Sequence, residues 1–327
     1  MKKRFLMTRK LVPMIVLPII IFALGFGLCF VLDQLFQKPL ENHFVDSQNY
    51  RQFFSEDIVI QGKDDQNQSF FLKLSLNRKQ LQKDQFGHYY FANLIYGDLN
   101  KSSEDSFNAT KADIPASKFF ISYQNQRAID LSTRQGFDFL LDIDHHQIKV
   151  KIENLLGDFL LRDKPEYTKY GSVGDAKIEI GGKSFRAKTF VSTMYSTDYS
   201  KYVFFNGYDD MHALTDYLVF WDEAGSFYLV DHTVTEQDNP DYPPHTWVLY
   251  KDGVGGWMKK AFEVKIDFKT ENSLPQSWLV KIPDLDAAIN LHLDQFFEGS
   301  FSEGIGSGTV KKSNGTFKIA GFLDRHS

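Results

Sequence analysis

Beyond residue 50, apolar and polar residues alternate with a period of two. In SFFLKLSLNR, residues 69–78, Phe70, Leu72, Leu74 and Leu76 share one face, while Lys73, Ser75 and Asn77 share the other. In KAFEVKIDFK, residues 260–269, Phe262, Val264, Ile266 and Phe268 oppose Glu263, Lys265, Asp267 and Lys269. Successive side chains of a strand point to opposite sides, so this period predicts strands with one face buried. YLVFWDEAGSFYLVDHTV predicts a hairpin turning at Asp222 to Gly225, and VLYKDGVGGWMKKAF another turning between Asp252 and Gly256. A helical period shows only weakly, in QIKVKIENLLGDFLLRD and around Asp209 to Thr215. Many strands with short glycine turns predict an all-β chain, either barrels or sandwiches.

The N-terminus breaks this pattern. MKKRFLMTRK is basic, and residues 11–32, LVPMIVLPIIIFALGFGLCFVL, carry no charge before Asp33. A run of ~20 apolar residues is long enough to cross a bilayer as a helix. The basic segment 1–10 is then expected to stay in the cytoplasm, which sends the rest to a periplasmic or extracellular side. The apolar region is longer than that of a usual cleaved signal peptide, which favours an uncleaved single-pass anchor in the cytoplasmic membrane. Residues 33–49 read as a polar tether, followed by two halves of similar size, 50–205 and 206–327, joined near STDYSKYVFFNGYDD.

Composition narrows the function classes. A net charge of -5 offers no basic footprint for nucleic acid. Cys29, inside the apolar run, is the single cysteine, so the exported part has neither a disulfide nor a thiol nucleophile. Aromatic residues make up 15% of the chain, including 31 Phe, which favours β structure with either apolar cavities or a closed Phe-rich core. Four Asn-x-Ser/Thr triplets, at Asn67, Asn100, Asn108 and Asn314, matter only on a eukaryotic secretory route.

Few local motifs carry chemistry. Gly304, Gly306 and Gly308 have the look of a nucleotide-binding loop, but that loop must open a helix, and here a strand-like stretch follows. A glycine-rich hairpin is expected, with no cofactor. Asp142, Asp144 and His146 fall on one strand face, a mixture that metal sites use. With no second cluster of similar spacing, a solvated face is the better reading and no metal is expected. HExxH, GxSxG and CxxC patterns do not occur.

From Tyr217 onward the chain resembles AttH-like and carotenoid 1,2-hydratase (hydroxyneurosporene synthase) proteins, which are double lipocalin-like folds. DYLVFWDEAGSFYLV is similar to the strand–turn–strand that opens the family's second barrel. Trp278, Ile282 and Pro283 match its Trp-x-x-x-Ile-Pro segment, and FFEGSFSEG its aromatic-Trp-Glu-Gly signature, with Phe297 in place of Trp. The first half is similar more loosely, through Phe53 and Phe54 and through HYYFANLIYGDLN, which ends near Asp98. The resemblance implies two tandem antiparallel lipocalin-like barrels after the membrane helix.

Where the family pattern places Trp, Asp and Glu, this chain has Phe190, Ser192 and Met194. That removes acid candidates and argues against carotenoid hydration, which needs a carboxyl able to protonate carbon. Glu298 and Asp98 remain as candidate catalytic acids, with Asp231 and His232 less secure, and Glu298 is expected inside the second barrel. Trp247, Trp257, Phe297, Tyr217, Trp221 and Tyr90 are the aromatic candidates for lining a ligand site. The expected partner is an apolar small molecule, a lipid or isoprenoid, bound by a membrane-anchored protein. The rival readings are an acid-assisted hydratase, isomerase or cyclase, and a ligand-free interaction scaffold.

Overall fold

In a computed structural model of the chain, residues Ser47–Ser327 form one compact unit. The structure describes residues 53–82, 85–110, 120–123, 126–133, 136–163, 167–196, 213–235, 245–253, 258–261, 265–271, 274–300 and 302–326. The expected anchor at 11–32 and the tether lie outside these residues. No helix among them is long and apolar enough to cross a membrane.

Two large antiparallel sheets account for nearly everything described. The first comprises β1 (Phe53–Lys63), β2 (Ser69–Gln82), β3 (Gln85–Tyr96), β4 (Leu99–Thr110), β5 (Phe120–Tyr123), β6 (Gln126–Thr133), β7 (Gly136–Ile143), β8 (His146–Asp163), β9 (Tyr167–Ile180) and β10 (Lys183–Ser196). The second comprises β11 (Ala213–Asp222), β12 (Phe227–Thr235), β13 (His245–Lys251), β14 (Met258–Ala261), β15 (Lys265–Glu271), β16 (Leu274–Ile282), β17 (Ala287–Phe296), β18 (Glu303–Lys312) and β19 (Gly315–His326). In each, neighbours in sequence pair as a meander and the first strand pairs with the last, β1 with β10 and β11 with β19. Each sheet thus curls back on itself, with β4 and β5, or β14 and β15, as its two edge strands. This is the arrangement that tandem barrels require.

Both predicted hairpins form, as β11–β12 and β13–β14. One other expectation is corrected. The stretch with weak helical spacing is strand β8, whose register slips at Glu153/Leu156, Leu156/Phe159 and Leu160/Arg162; the bulges disturb the period of two. The expected glycine-rich hairpin forms as β18–β19, with the glycines of GIGSG inside strand β18. A Cβ at Gly304, Gly306 or Gly308 would run into the carbonyl oxygens of Gln295, His292 and Asn290 on β17, so these glycines let the sheet coil tightly. Asp144 and His145, both with positive φ, make the β7–β8 turn, and Asp142, Asp144 and His146 are all exposed.

Burial follows the alternation. Ile58, Ile60, Leu72 and Leu74 are fully buried, as are Leu218, Phe220, Tyr228 and Val230 of the second sheet. In the described part of the second barrel, Leu218, Phe220, Trp278, Val280, Ile289 and Leu291 pack into one cluster, a filled core. Each barrel also pins a hairpin corner with a buried aspartate. Asp64 accepts from Lys183 (2.9 Å), the Tyr96 hydroxyl (2.8 Å) and the backbone of Gln66 and Gln68. Asp222 accepts from Lys312 (2.7 Å), the Tyr228 hydroxyl (3.2 Å) and the Ser226 amide. The Lys183 ammonium, against the opposing cost of burial, holds the Asp64 carboxyl down at about 2.

Candidate functional site: the junction of the two sheets

Several strands are buried on both faces. On β1 and β2, Val59 and Phe71 point away from their own barrel; on β11, Val219 and Trp221 do the same. These outward residues meet in one cluster to which both sheets contribute. Its contacts are aromatic: Phe190 stacks on Phe227 (5.2 Å between centroids) and Phe71 meets Phe322 edge-on (5.7 Å). The sheets are therefore joined by a hydrophobic seam.

Polar residues border this aromatic core. Cross-strand register aligns Trp247, Asp231, Tyr217, Asp324 and Glu303 across β13, β12, β11, β19 and β18. From the first sheet, Lys73 reaches across and donates to Glu303 Oε1 (2.5 Å) and Asp324 Oδ2 (2.9 Å). Its side chain is only 10% exposed, and those of Glu303 and Asp324 15% and 12%. Asn93, beside Lys73 on β3, donates to the other Glu303 oxygen (2.9 Å) and accepts from Ser102 (2.6 Å). Burial alone would lower the Lys73 ammonium, but Asp324, Glu303 and Asp57 outweigh it and hold the amine above its ordinary value. Lys73 is thus a fixed cation that orients carboxylates, not an amine nucleophile. Lys169 sits over the Tyr217 ring at 4.7 Å. The Ser192 hydroxyl, on the same face as Phe190, is buried without a hydrogen-bond partner among the described residues.

The structure brings together four of the predicted aromatic residues. Trp247, Trp221, Phe297 and Tyr217 all belong to the inter-sheet cluster, so they wall the junction rather than a barrel interior or mouth. Trp257 and the Tyr90 side chain lie outside the described residues. The two predicted acids are not in the junction. Glu298, expected inside the second barrel, is 51% exposed, with its carboxylate 3.4 Å from Lys101. The reason is local: β17 ends at Phe296, and the chain turns through Gly299 at φ +75°. Phe297 alone is tucked inward, stacking near Phe322. Asp98 is likewise exposed, on the Gly97–Asp98 turn between β3 and β4.

The turn after β17 has a different role, as a clasp between the sheets. Asn100 of β4 donates to the Phe296 carbonyl (2.9 Å) and accepts from the Glu298 amide (2.9 Å). The Ser102 hydroxyl, whose single proton is shared with Asn93, also lies 2.8 Å from the Glu298 carbonyl. The Asn100–Lys101–Ser102 triplet is thereby explained as a docking device whose amide is already engaged. The residues that sequence reasoning missed are Lys73, Asn93, Glu303 and Asp324. The available signal was an acid embedded in an apolar strand, as in GFLD, but the pattern did not say which partner it faced.

Fold and site together define a two-barrel protein whose distinctive chemistry lies between its barrels. No protein-family model and no curated protein matches the chain. Two of the solved structures that share the fold illustrate the likeness. One is a Nitrosomonas europaea protein described as an AttH, with a TM-score of 0.58 and 8% identity, covering 87% of this chain and 95% of its own. The other is kievitone hydratase from Nectria haematococca, with a TM-score of 0.55 and 8% identity, covering 85% and 90%. The AttH-like resemblance read from the sequence therefore holds at the level of the fold.

Proposed function

We propose that this chain is a ligand-handling protein that holds an apolar molecule, a lipid or isoprenoid, at the junction of its two sheets. The observation that carries the reading is the aromatic wall built by both sheets and bordered by the buried Lys73–Glu303–Asp324 cluster. Such a combination, an apolar surface with a few fixed polar groups, is what gives a small-molecule site both affinity and orientation. Segment 11–32 would tether the protein to a membrane, where a poorly soluble ligand concentrates. The test is organic extraction and mass spectrometry of the full-length chain isolated from a native-like host. A stoichiometric apolar molecule is expected; an empty protein that also ignores a panel of lipids and isoprenoids overturns the reading in favour of a closed scaffold.

A second reading is acid-assisted hydration, isomerisation or cyclisation. It is favoured by two carboxylates fixed beside aromatic rings, in a fold shared with a hydratase. Glu303 and Asp324, not Glu298, would then carry the chemistry. Glu303→Gln separates the readings, since turnover must collapse on the enzyme reading while ligand retention survives on the first.

A further inference from the structure

Two of the four Asn-x-Ser/Thr triplets belong to a longer pattern. Asp65-Gln66-Asn67-Gln68-Ser69 and Asp98-Leu99-Asn100-Lys101-Ser102 each add a carboxylate two residues before the asparagine. The triplet is the acceptor pattern for transfer of a glycan to the asparagine amide. The bacterial form of that transfer also reads the preceding carboxylate, which extends these two segments beyond the eukaryotic route to which a bare triplet is confined. Asn108 and Asn314 have Ser106 and Lys312 in that place. By sequence the two longer segments are equivalent; the fold makes them unequal. Asn100 is committed to the clasp between the sheets. Its side-chain nitrogen donates to the Phe296 carbonyl and its oxygen accepts from the Glu298 amide, both at 2.9 Å.

Asn67 instead stands at the tip of the β1–β2 hairpin, within an exposed run from Asp65 to Gln68. Asp64 fixes this tip from beneath. Its carboxylate accepts from the Gln66 and Gln68 amides, and its carbonyl from the Asn67 amide, each at 2.9 Å. Asn67 takes φ +63°, a left-handed conformation that asparagine enters more readily than most residues. Its side chain makes no hydrogen bond among the described residues, so the amide nitrogen is presented to solvent. Ser69 follows as the first residue of β2, opposite Lys63, and the whole pattern is folded around one sharp bend.

We infer that Asn67 is a glycosylation site, modified in the folded chain, and that the fold withholds Asn100. The side-chain nitrogen of Asn67 bonds to the anomeric carbon of a glycan carried on a polyprenyl diphosphate. The bond from that carbon to the diphosphate oxygen breaks, polyprenyl diphosphate leaves with the electron pair, and the amide releases one proton. Nothing is oxidised or reduced. The Asp65 carboxylate and the Ser69 hydroxyl are the groups that the transferase recognises on either side of the acceptor. The inference goes beyond the ligand proposed for the junction and does not depend on it. It rests on residues beyond 33 lying across the membrane, where such a glycan is transferred, and the experiment reads that separately.

The experiment expresses the full-length chain, with an acceptor peptide of the same pattern appended after Ser327, in a bacterium supplied with a carboxylate-dependent oligosaccharyltransferase and its polyprenyl-linked glycan. Glycopeptides are quantified by mass spectrometry. Asn67 is expected to reach at least tenfold the occupancy of Asn100 or Asn314. Asp65→Ala and Ser69→Ala, which keep the asparagine, are each expected to cut occupancy at Asn67 at least tenfold while leaving the appended peptide unchanged. A modified peptide beside a bare Asn67 overturns the site with export intact. If both are bare, the chain does not present these residues to the donor, and the inference falls together with the expected export. Equal occupancy of Asn67 and Asn100 overturns selection by the fold, and occupancy that survives both substitutions overturns the recognition.

Discussion

Lys73→Met is the most demanding perturbation of the junction. The substitution preserves most of the side-chain volume and removes a charge that two carboxylates share at 2.5 and 2.9 Å. At an effective dielectric near 20, each contact is worth roughly 6–7 kcal/mol of gross attraction. Desolvation of three ions, several kcal/mol each, offsets most of that sum, so the intact cluster adds little net stability. Removing only the cation leaves the carboxylates buried without it, at a cost of about 3–5 kcal/mol. For a unit of this size, about 2–4 °C per kcal/mol gives a fall in melting temperature of roughly 10 °C. Lys73→Met/Glu303→Gln/Asp324→Asn removes all three charges and is expected to recover most of the loss, because no buried ion remains. The assay is urea and thermal unfolding of the full-length chain and both variants, followed by tryptophan fluorescence. A loss under about 1 kcal/mol for Lys73→Met, the scale of an exposed pair, would refute the buried-cluster argument. So would a triple variant less stable than the single one. The pH dependence has a definite sign: the amine is held above its ordinary 10.5, so its contribution is intact below that pH and fades only as pH rises beyond it.

Three further outcomes are expected. Asp64 is held at about 2 against an ordinary 3.8, so its stabilisation is complete above pH 4 and disappears as pH falls through 2; Asp64→Asn should flatten that part of an acid-unfolding curve. Phe297→Ala, at a residue 1% exposed in the inter-sheet cluster, is expected to cost about 3–5 kcal/mol, whereas Glu298→Gln beside it should stay within about 0.5 kcal/mol, both read from denaturation midpoints. Gly308→Ala forces a methyl group into the Asn290 carbonyl on the neighbouring strand and is expected to lower stability by about 1–3 kcal/mol, measured by thermal melting.

The sequence by itself determined the strands and many of their turns. A period of two is a local property, so Leu72 and Leu74 on one side and Lys73 and Ser75 on the other could be assigned from neighbours alone. The Asp222–Gly225 turn was legible for the same reason, because its residues accept turn geometry without help from elsewhere. Bulged β8 escaped because each slip of register resets the alternation. What the pattern cannot encode is whether a strand's second face meets water or another sheet. Lys73 and Asp324 stand 251 positions apart in the chain, and only the packing of one barrel on the other makes them partners. Glu298 and Glu303 show the same limit over five residues. Both flank glycines and both are acids, yet a turn with positive φ at Gly299 leaves the first in solvent while β18 carries the second under Lys73. Local alternation fixes the strands; the burial of a charge depends on a partner surface supplied by residues far away in sequence.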